Sequence, residues 1–132
     1  MKETMSNHHY NKSYVIDLHN RSIGRMASVL ILILKKIYND NPHYTSKLIL
    51  TNVGSLKISS KLLNKKYWRH TGYPGGIKFK FGYNFDVPTL VKMILLGMLN
   101  KTSLDKRLFK TILMINDLQN IPTINNIQYI NV

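Results

Sequence analysis

Tyr14-Val-Ile-Asp-Leu-His-Asn-Arg-Ser-Ile-Gly-Arg-Met-Ala-Ser-Val-Leu-Ile-Leu-Ile-Leu34 is the stretch whose reading decides the fold class. Its first part, Tyr14 to Leu18, is a short β-prone run, and the turn-forming His19-Asn20-Arg21-Ser22 ends it. From Arg25 to Tyr38 every residue is compatible with a helix. Ala27 and the unbroken run Val29 to Leu34 make that helix apolar on more than one side, which predicts burial on two faces. Lys35 and Lys36 fall in its last turn, where cations suit the helix dipole, and Asn39 to His43 break it. Leu48-Ile-Leu-Thr-Asn52 then reads as a second strand. Strand, helix, strand is a βαβ unit, so the expected class is α/β with parallel strands.

Beyond this unit, Leu56-Lys-Ile58 reads as a third short strand and Ser59 to Lys66 as a short basic helix. Tyr67 to Asn84 is different in kind, being aromatic, glycine-rich and basic. Asp86-Val-Pro88 opens another helix, with Asp86 at the N-cap and Pro88 in the first turn, running through Leu99. Thr102-Ser103 caps a further helix from Leu104 to about Leu113, whose exposed face carries Lys106, Arg107 and Lys110. The pattern divides the chain into an N-terminal extension (1–13), one α/β domain (14–116) and a neutral tail (117–132) without Lys or Arg. Neither an internal repeat nor a second domain is visible.

The chain has 132 residues, which is enough for one domain with its own core. Its 19 Lys and Arg against 6 Asp and Glu give a formal charge of +13. A compact domain with that excess repels itself unless a polyanion neutralises it, and nucleic acid is the first candidate. The charge is also uneven: Lys57 to Lys110 holds 12 of the 19 cations and only two acids, Asp86 and Asp105. Cysteine is absent, which rules out disulfides and thiolate zinc sites and fits a reducing compartment. The longest apolar run is far short of the roughly 18 residues that span a bilayer. Met1 to Ser13 contains no Arg and no apolar core, so it resembles neither a secretory signal nor an Arg-rich transit peptide.

The most informative segment for function is Lys65-Lys-Tyr-Trp-Arg-His-Thr-Gly-Tyr-Pro-Gly-Gly-Ile-Lys78. Lys65, Lys66, Arg69 and Lys78 can neutralise phosphates, while Tyr67, Trp68, His70 and Tyr73 offer faces to bases or sugars. Gly72, Gly75 and Gly76 permit tight turns, and Pro74 stiffens the loop. In Lys78-Phe-Lys-Phe81, strand alternation puts Lys78 and Lys80 on one side and two rings on the other. Some of these rings are expected to be core, since Tyr67 and Trp68 cannot point the same way on an extended chain. A nucleotide-binding P-loop needs Gly-Lys-Ser/Thr, whereas Ile77 follows Gly76 here.

Catalysis finds no foothold in the sequence. The six acids, Glu3, Asp17, Asp40, Asp86, Asp105 and Asp117, stand singly, and none has ligand spacing. His8-His9 is read as an isolated pair in a terminal extension rather than a metal site, and Asp17 as capping the turn before Gly24. No enzyme activity, cofactor or metal is expected.

Tyr67-Trp-Arg-His-Thr-Gly-Tyr-Pro-Gly-Gly-Ile-Lys78 closely resembles the signature of the thirteenth large-subunit ribosomal protein family in its bacterial form. Tyr14-Val-Ile-Asp17 with Ile23-Gly-Arg-Met-Ala-Ser28 resembles that family's opening strand and helix start. Gly97-Met-Leu99 and the basic helix after it resemble its second signature. The likeness runs collinearly over about residues 14 to 116. It implies a three-layer α/β/α single domain with a small, mostly parallel four-stranded sheet and a basic Gly-rich loop, embedded in large-subunit ribosomal RNA from early assembly. By position, RNA contact is expected of Arg25, Lys65, Lys66, Arg69, His70, Gly72, Tyr73, Gly75, Gly76 and Lys78, and also of Lys101, Lys106, Arg107 and Lys110. Tyr67 and Lys80 join them from the reading of the segment itself.

The chain departs from the family in three places. Ser46-Lys47 joins Tyr44-Thr45 directly to the second strand where the family carries a longer loop, so a contact made there is expected to be lost. Leu96 stands where the family has Arg, and Asn100 where it has Pro, which removes the basis for a phosphate contact at that point. The richness in Asn, Ile, Lys and Tyr, whose codons are AT-rich, together with the short junction, points to an organellar ribosome. A mitochondrion comes first, with a plastid or an AT-rich bacterium as alternatives. Ile121, Ile124, Ile127 and Ile130 recur every three residues, and the tail is expected to dock this stripe on a neighbouring ribosomal protein. A free RNA-processing enzyme and a membrane-surface protein fit less well, the latter because the longest apolar helix carries cations only at its end.

Overall fold

A computed structural model describes residues 12–40, 46–116 and 126–132. Most of the N-terminal extension with the His8-His9 pair, the Tyr44-Thr45 junction, and Ile121 and Ile124 of the tail stripe lie outside the described residues. The opening stretch forms β1 (Ser13–Asp17) and α1 (Ile23–Asp40), followed by β2 (Lys47–Thr51). A short helix, α2 (Ser60–Leu63), leads into a hairpin of β3 (Lys66–His70) and β4 (Ile77–Phe81). Then come α3 (Val87–Met98), α4 (Ser103–Lys110), β5 (Ile112–Met114) and β6 (Ile127–Tyr129).

Four strands form one sheet in the order β5-β2-β1-β6, and every pairing in it is parallel. The sheet expected to be mostly parallel is therefore wholly so. The antiparallel hairpin β3–β4 stands apart as a two-stranded sheet. Ile16, Leu48, Leu50 and Ile112 share one face of the main sheet and form a single core with Leu30 and Leu34 of α1 and Val91 and Leu95 of α3. Val15 and Ile49 alternate to the opposite face and are equally buried. Burial on both faces is what a near-continuous apolar parallel strand requires.

Several sequence expectations change. Leu56-Lys-Ile58 is not a strand: Lys57 makes one isolated parallel bridge, to Ser22. The helix after Thr102 stops at Lys110, and Ile112–Met114 pairs with β2 instead, because an apolar triplet beside a central strand buries more as sheet than as a last helical turn. Thr102 does cap α4: its hydroxyl accepts from the Asp105 N–H at 3.3 Å and donates to the Asp105 carboxylate at 2.8 Å. Asp86 holds the N-cap position of α3 without a side-chain hydrogen bond. The basic helix is shorter than read, so Lys66 opens β3. Burial of α1 on two faces fails at Leu32, which is 68% exposed. From the stretch read as a tail, Ile127–Tyr129 joins the sheet beside β1, and Ile130 and Val132 pack against the core.

Asp17 fastens the ends of β1 and β2 together. Its carboxylate accepts from the His19 N–H at 2.9 Å and from the Asn52 amide at 2.8 Å. The Asn52 bond first, then the His19 bond, holds its pKa below the ordinary carboxylate value. The sign follows: this tie is complete above the ordinary carboxylate range and is lost as pH falls through the lowered value.

Gly82 seats the hairpin on α2. Its N–H donates to the Lys65 carbonyl at 3.0 Å, and an added Cβ would run into the Leu62 carbonyl and stand 2.9 Å from that of Leu63. Those neighbours are backbone and cannot rotate away. Gly82→Ala is expected to lower stability by about 1–3 kcal/mol, read from thermal or urea denaturation.

Candidate nucleic-acid interface

The hairpin carries the site. Its register pairs Lys66 with Phe81, Tyr67 with Lys80, Trp68 with Phe79, Arg69 with Lys78 and His70 with Ile77. Directly opposed residues of an antiparallel pair share a face. One face therefore presents Arg69, Lys78, Lys80 and Tyr67; the other presents Trp68, Phe79, Phe81 and Ile77 with Lys66 and His70.

The tip is a built turn. Gly76 N–H donates to the Tyr73 carbonyl at 2.9 Å, and Thr71 N–H to the Gly76 carbonyl at 3.0 Å. Gly75 at φ +71 follows Pro74, the arrangement of a type II turn that needs a left-handed third residue. Gly76 is needed for closeness, since a Cβ there would collide with the Thr71 hydroxyl. Gly72, at φ +90, donates its N–H to His70 Nδ1 at 2.9 Å. With Nδ1 accepting this bond, the donor position of the neutral imidazole is Nε2.

On the cationic face, Tyr67, Arg69, Lys78 and Lys80 line a cleft of about 410 Å³, closed by Phe85 and Met93 of the segment leading into and forming α3, and Trp68, Thr71 and Phe79 of the hairpin also border it. Tyr67 meets Phe85 edge-on at 5.6 Å, and the Lys80 ammonium lies 5.9 Å from the Phe85 ring centre. Burial raises the Tyr67 pKa, keeping its hydroxyl neutral as a hydrogen-bond donor. The Lys65 ammonium sits 5.6 Å from the Tyr67 ring centre. No acid occurs from residue 41 to residue 85, so no carboxylate of this segment competes for these cations.

The other face is a row of rings. Trp68 and Phe79 stand 5.1 Å apart, Phe79 and Phe81 5.5 Å, and Phe81 and Tyr83 are stacked at 5.2 Å. Trp68 is 63% exposed, Phe79 46% and Tyr83 59%, while Tyr67, Phe81 and Phe85 are half-buried; none of these rings joins the main core, contrary to the expectation that some would. The sequence offers Trp68 as a base- or sugar-facing ring without assigning it an RNA contact, and it does not single out Phe79, Phe81 or Tyr83 for the site. Strand alternation over Lys78-Phe-Lys-Phe81 was the available signal, but it could not say which side faces water.

Arg25 lies elsewhere. It lines a second cleft, of about 440 Å³, with Arg21, Lys57, Asn20 and Ser22 at the start of α1. Arg21 and Lys57 were not singled out in the sequence. They meet because Lys57 N–H donates to the Arg21 carbonyl at 2.8 Å while its own carbonyl accepts from Ile23. Lys101, Lys106, Arg107 and Lys110 are exposed around α4 and line neither cleft. Among the described residues no group of three or more His, Asp or Glu could hold a metal ion, and no helix is long and apolar enough to cross a membrane.

Comparison with known proteins adds a lineage to this geometry. A family model described as Ribosomal protein L13 matches residues 11–119. The large ribosomal subunit protein uL13c of Gracilaria tenuistipitata var. liui is 34% identical over 109 residues, covering 76% of this chain and 76% of its own. The large ribosomal subunit protein uL13 of Buchnera aphidicola is 33% identical over 107 residues, covering 74% of each chain. That of Geobacillus kaustophilus is 31% identical over 107 residues, covering 75% of this chain and 74% of its own.

Proposed function

The chain belongs to the ribosomal protein L13 family, and from that membership we propose that it binds and stabilises large-subunit ribosomal RNA from early in assembly, chiefly through the β3–β4 hairpin. As a member it is a structural component of the large ribosomal subunit and not an enzyme. The observation that carries the RNA reading is the placement of Arg69, Lys78 and Lys80 on one exposed hairpin face, within a segment free of acids. Lys65, Lys66, His70, Gly72, Tyr73, Gly75 and Gly76 cluster around the same hairpin and its tip, and we assign them to the same contact. Arg25, with Arg21 and Lys57, forms a second phosphate-binding point, and Lys101, Lys106, Arg107 and Lys110 a third. We place the protein in an organellar ribosome, a mitochondrial one first, on its Asn-, Ile-, Lys- and Tyr-rich composition and its short Thr45–Lys47 junction. The residues after Asn116 are assigned in part to contact with neighbouring ribosomal proteins, since Tyr129 stays 70% exposed at the sheet edge.

The test is sedimentation of an organelle lysate at moderate salt, followed by binding of the purified chain to large-subunit RNA. Stoichiometric travel with the large subunit is expected; a chain that stays at the top of the gradient sinks the ribosomal assignment. With about six to ten phosphates contacted, affinity is expected to fall ~10³-fold or more between about 50 and 200 mM salt. A flat salt response would mean that the basic clusters are not the binding surface.

A further inference from the structure

The geometry points to a division of labour across the hairpin: its cationic face tracks a phosphate backbone, and its aromatic face stacks on unpaired nucleotides of the same RNA. This rests on the RNA-binding reading above and specifies the kind of RNA that the ring-bearing face takes. Three observations support it.

First, the row is continuous and, except at the half-buried Phe81, exposed. Trp68, Phe79, Phe81 and Tyr83 form an unbroken row with centre separations of 5.1, 5.5 and 5.2 Å. Such a row is on the scale of the sheet platforms on which about two or three splayed bases stack. Trp68 at 63% exposure and Tyr83 at 59% leave ring faces in water, an arrangement that favours a flat π-bearing ligand.

Second, the row carries a cation. The Lys66 ammonium lies 5.0 Å from the Phe79 ring centre and 5.7 Å from that of Phe81. Held against the rings, it stands where the phosphate of a stacked nucleotide would pass. An apolar protein partner would have to bury that ammonium without an anion, which is costly.

Third, a regular duplex cannot use this face. Paired bases show only their edges in the grooves: the deep, narrow major groove of A-form RNA keeps side chains out, and its shallow minor groove offers edges and 2′-hydroxyls but no base faces. Rings can stack only on bases that have left the helix. The opposite face, with Arg69, Lys78 and Lys80 beside the half-buried Tyr67 and Phe85, has the chemistry for backbone phosphates of either form.

Trp68 is the chain's single tryptophan, so its fluorescence reports on this hairpin. The full chain would be titrated at low salt with a single-stranded oligoadenylate of about twelve nucleotides and with an RNA duplex of equal length. Quenching of Trp68 by the single strand and not by the duplex is expected. Tyr83→Ala, at the end of the row and outside the cationic cleft, is expected to weaken single-strand binding about 5- to 100-fold while leaving duplex binding and the salt slope unchanged. Lys78→Gln should weaken both RNAs alike; both substituted side chains are exposed, and a thermal melt would verify folding. Equal binding of both RNAs with unchanged Trp68 emission would overturn the stacking assignment and leave the RNA-binding reading intact. Failure to bind either RNA would overturn the RNA-binding reading itself. Emission that ignores RNA but responds to isolated large-subunit proteins would give the face to a protein partner instead.

Discussion

Replacing Arg69, Lys78 and Lys80 together by Gln is expected to reduce affinity for large-subunit RNA by about 10² to 10³ at roughly 0.1 M salt. The three cations share one hairpin face, and all three line the same cleft. Each lost phosphate contact removes a released counterion, so the slope of log affinity against log salt should become shallower by about two to three units. The variant should fold normally, because the three side chains are exposed and bury no apolar surface of the main core. An unchanged slope, with affinity lowered or not, would move phosphate binding to the Arg21, Arg25 and Lys57 cleft. A lowered melting temperature would instead show that the cations support the hairpin.

Leu95→Ala is expected to lower unfolding free energy by about 2–5 kcal/mol, which is a large part of a typical domain stability of about 5–15 kcal/mol. Leu95 is fully buried, and through it α3 joins the core shared by α1 and the sheet. Truncation leaves a cavity bounded by a helix and strands that cannot close over it without moving α3. Met93, on that same helix, closes the cleft beside the hairpin, so loosening of α3 should also weaken RNA binding. Its neighbour Leu96 is 46% exposed, and Leu96→Ala should stay within about 0.5 kcal/mol of the parent. Urea denaturation of the two variants checks the contrast; equal effects would mean that α3 is not seated as described.

The βαβ opening was legible because the apolar centres of β1 (Val15-Ile16) and β2 (Leu48-Ile-Leu50) are separated by a helix-length run, and apolar runs at that spacing have few other solutions. The type II turn was equally plain, since Tyr73-Pro74-Gly75-Gly76 carries its own φ requirements. Other elements depended on partners far away in the chain. Ile112–Met114 follows a helix without a breaker, and only β2 beside it makes it a strand. Leu56-Lys-Ile58 has the composition of a strand, yet it finds just one bridge. At the site, charge and glycines were readable, but the side of the hairpin that faces water was not. Nothing local distinguishes exposed Phe79 from half-buried Phe85; the difference lies in whether α3 packs nearby.

Both neighbours of β1 come later in the chain, β2 shortly afterwards and β6 from its far end. During vectorial synthesis β1, α1 and β2 emerge together and can condense, while the outer edge of β1 waits for Ile127–Tyr129 with its backbone groups unpaired. An open apolar strand edge is a template for pairing with another chain. The nascent protein is therefore most prone to aggregation late in its own translation, and truncation before β6 should extend that window indefinitely. The protection such a chain needs is early cover of one strand edge, a requirement that prompt incorporation into an assembling particle would also satisfy.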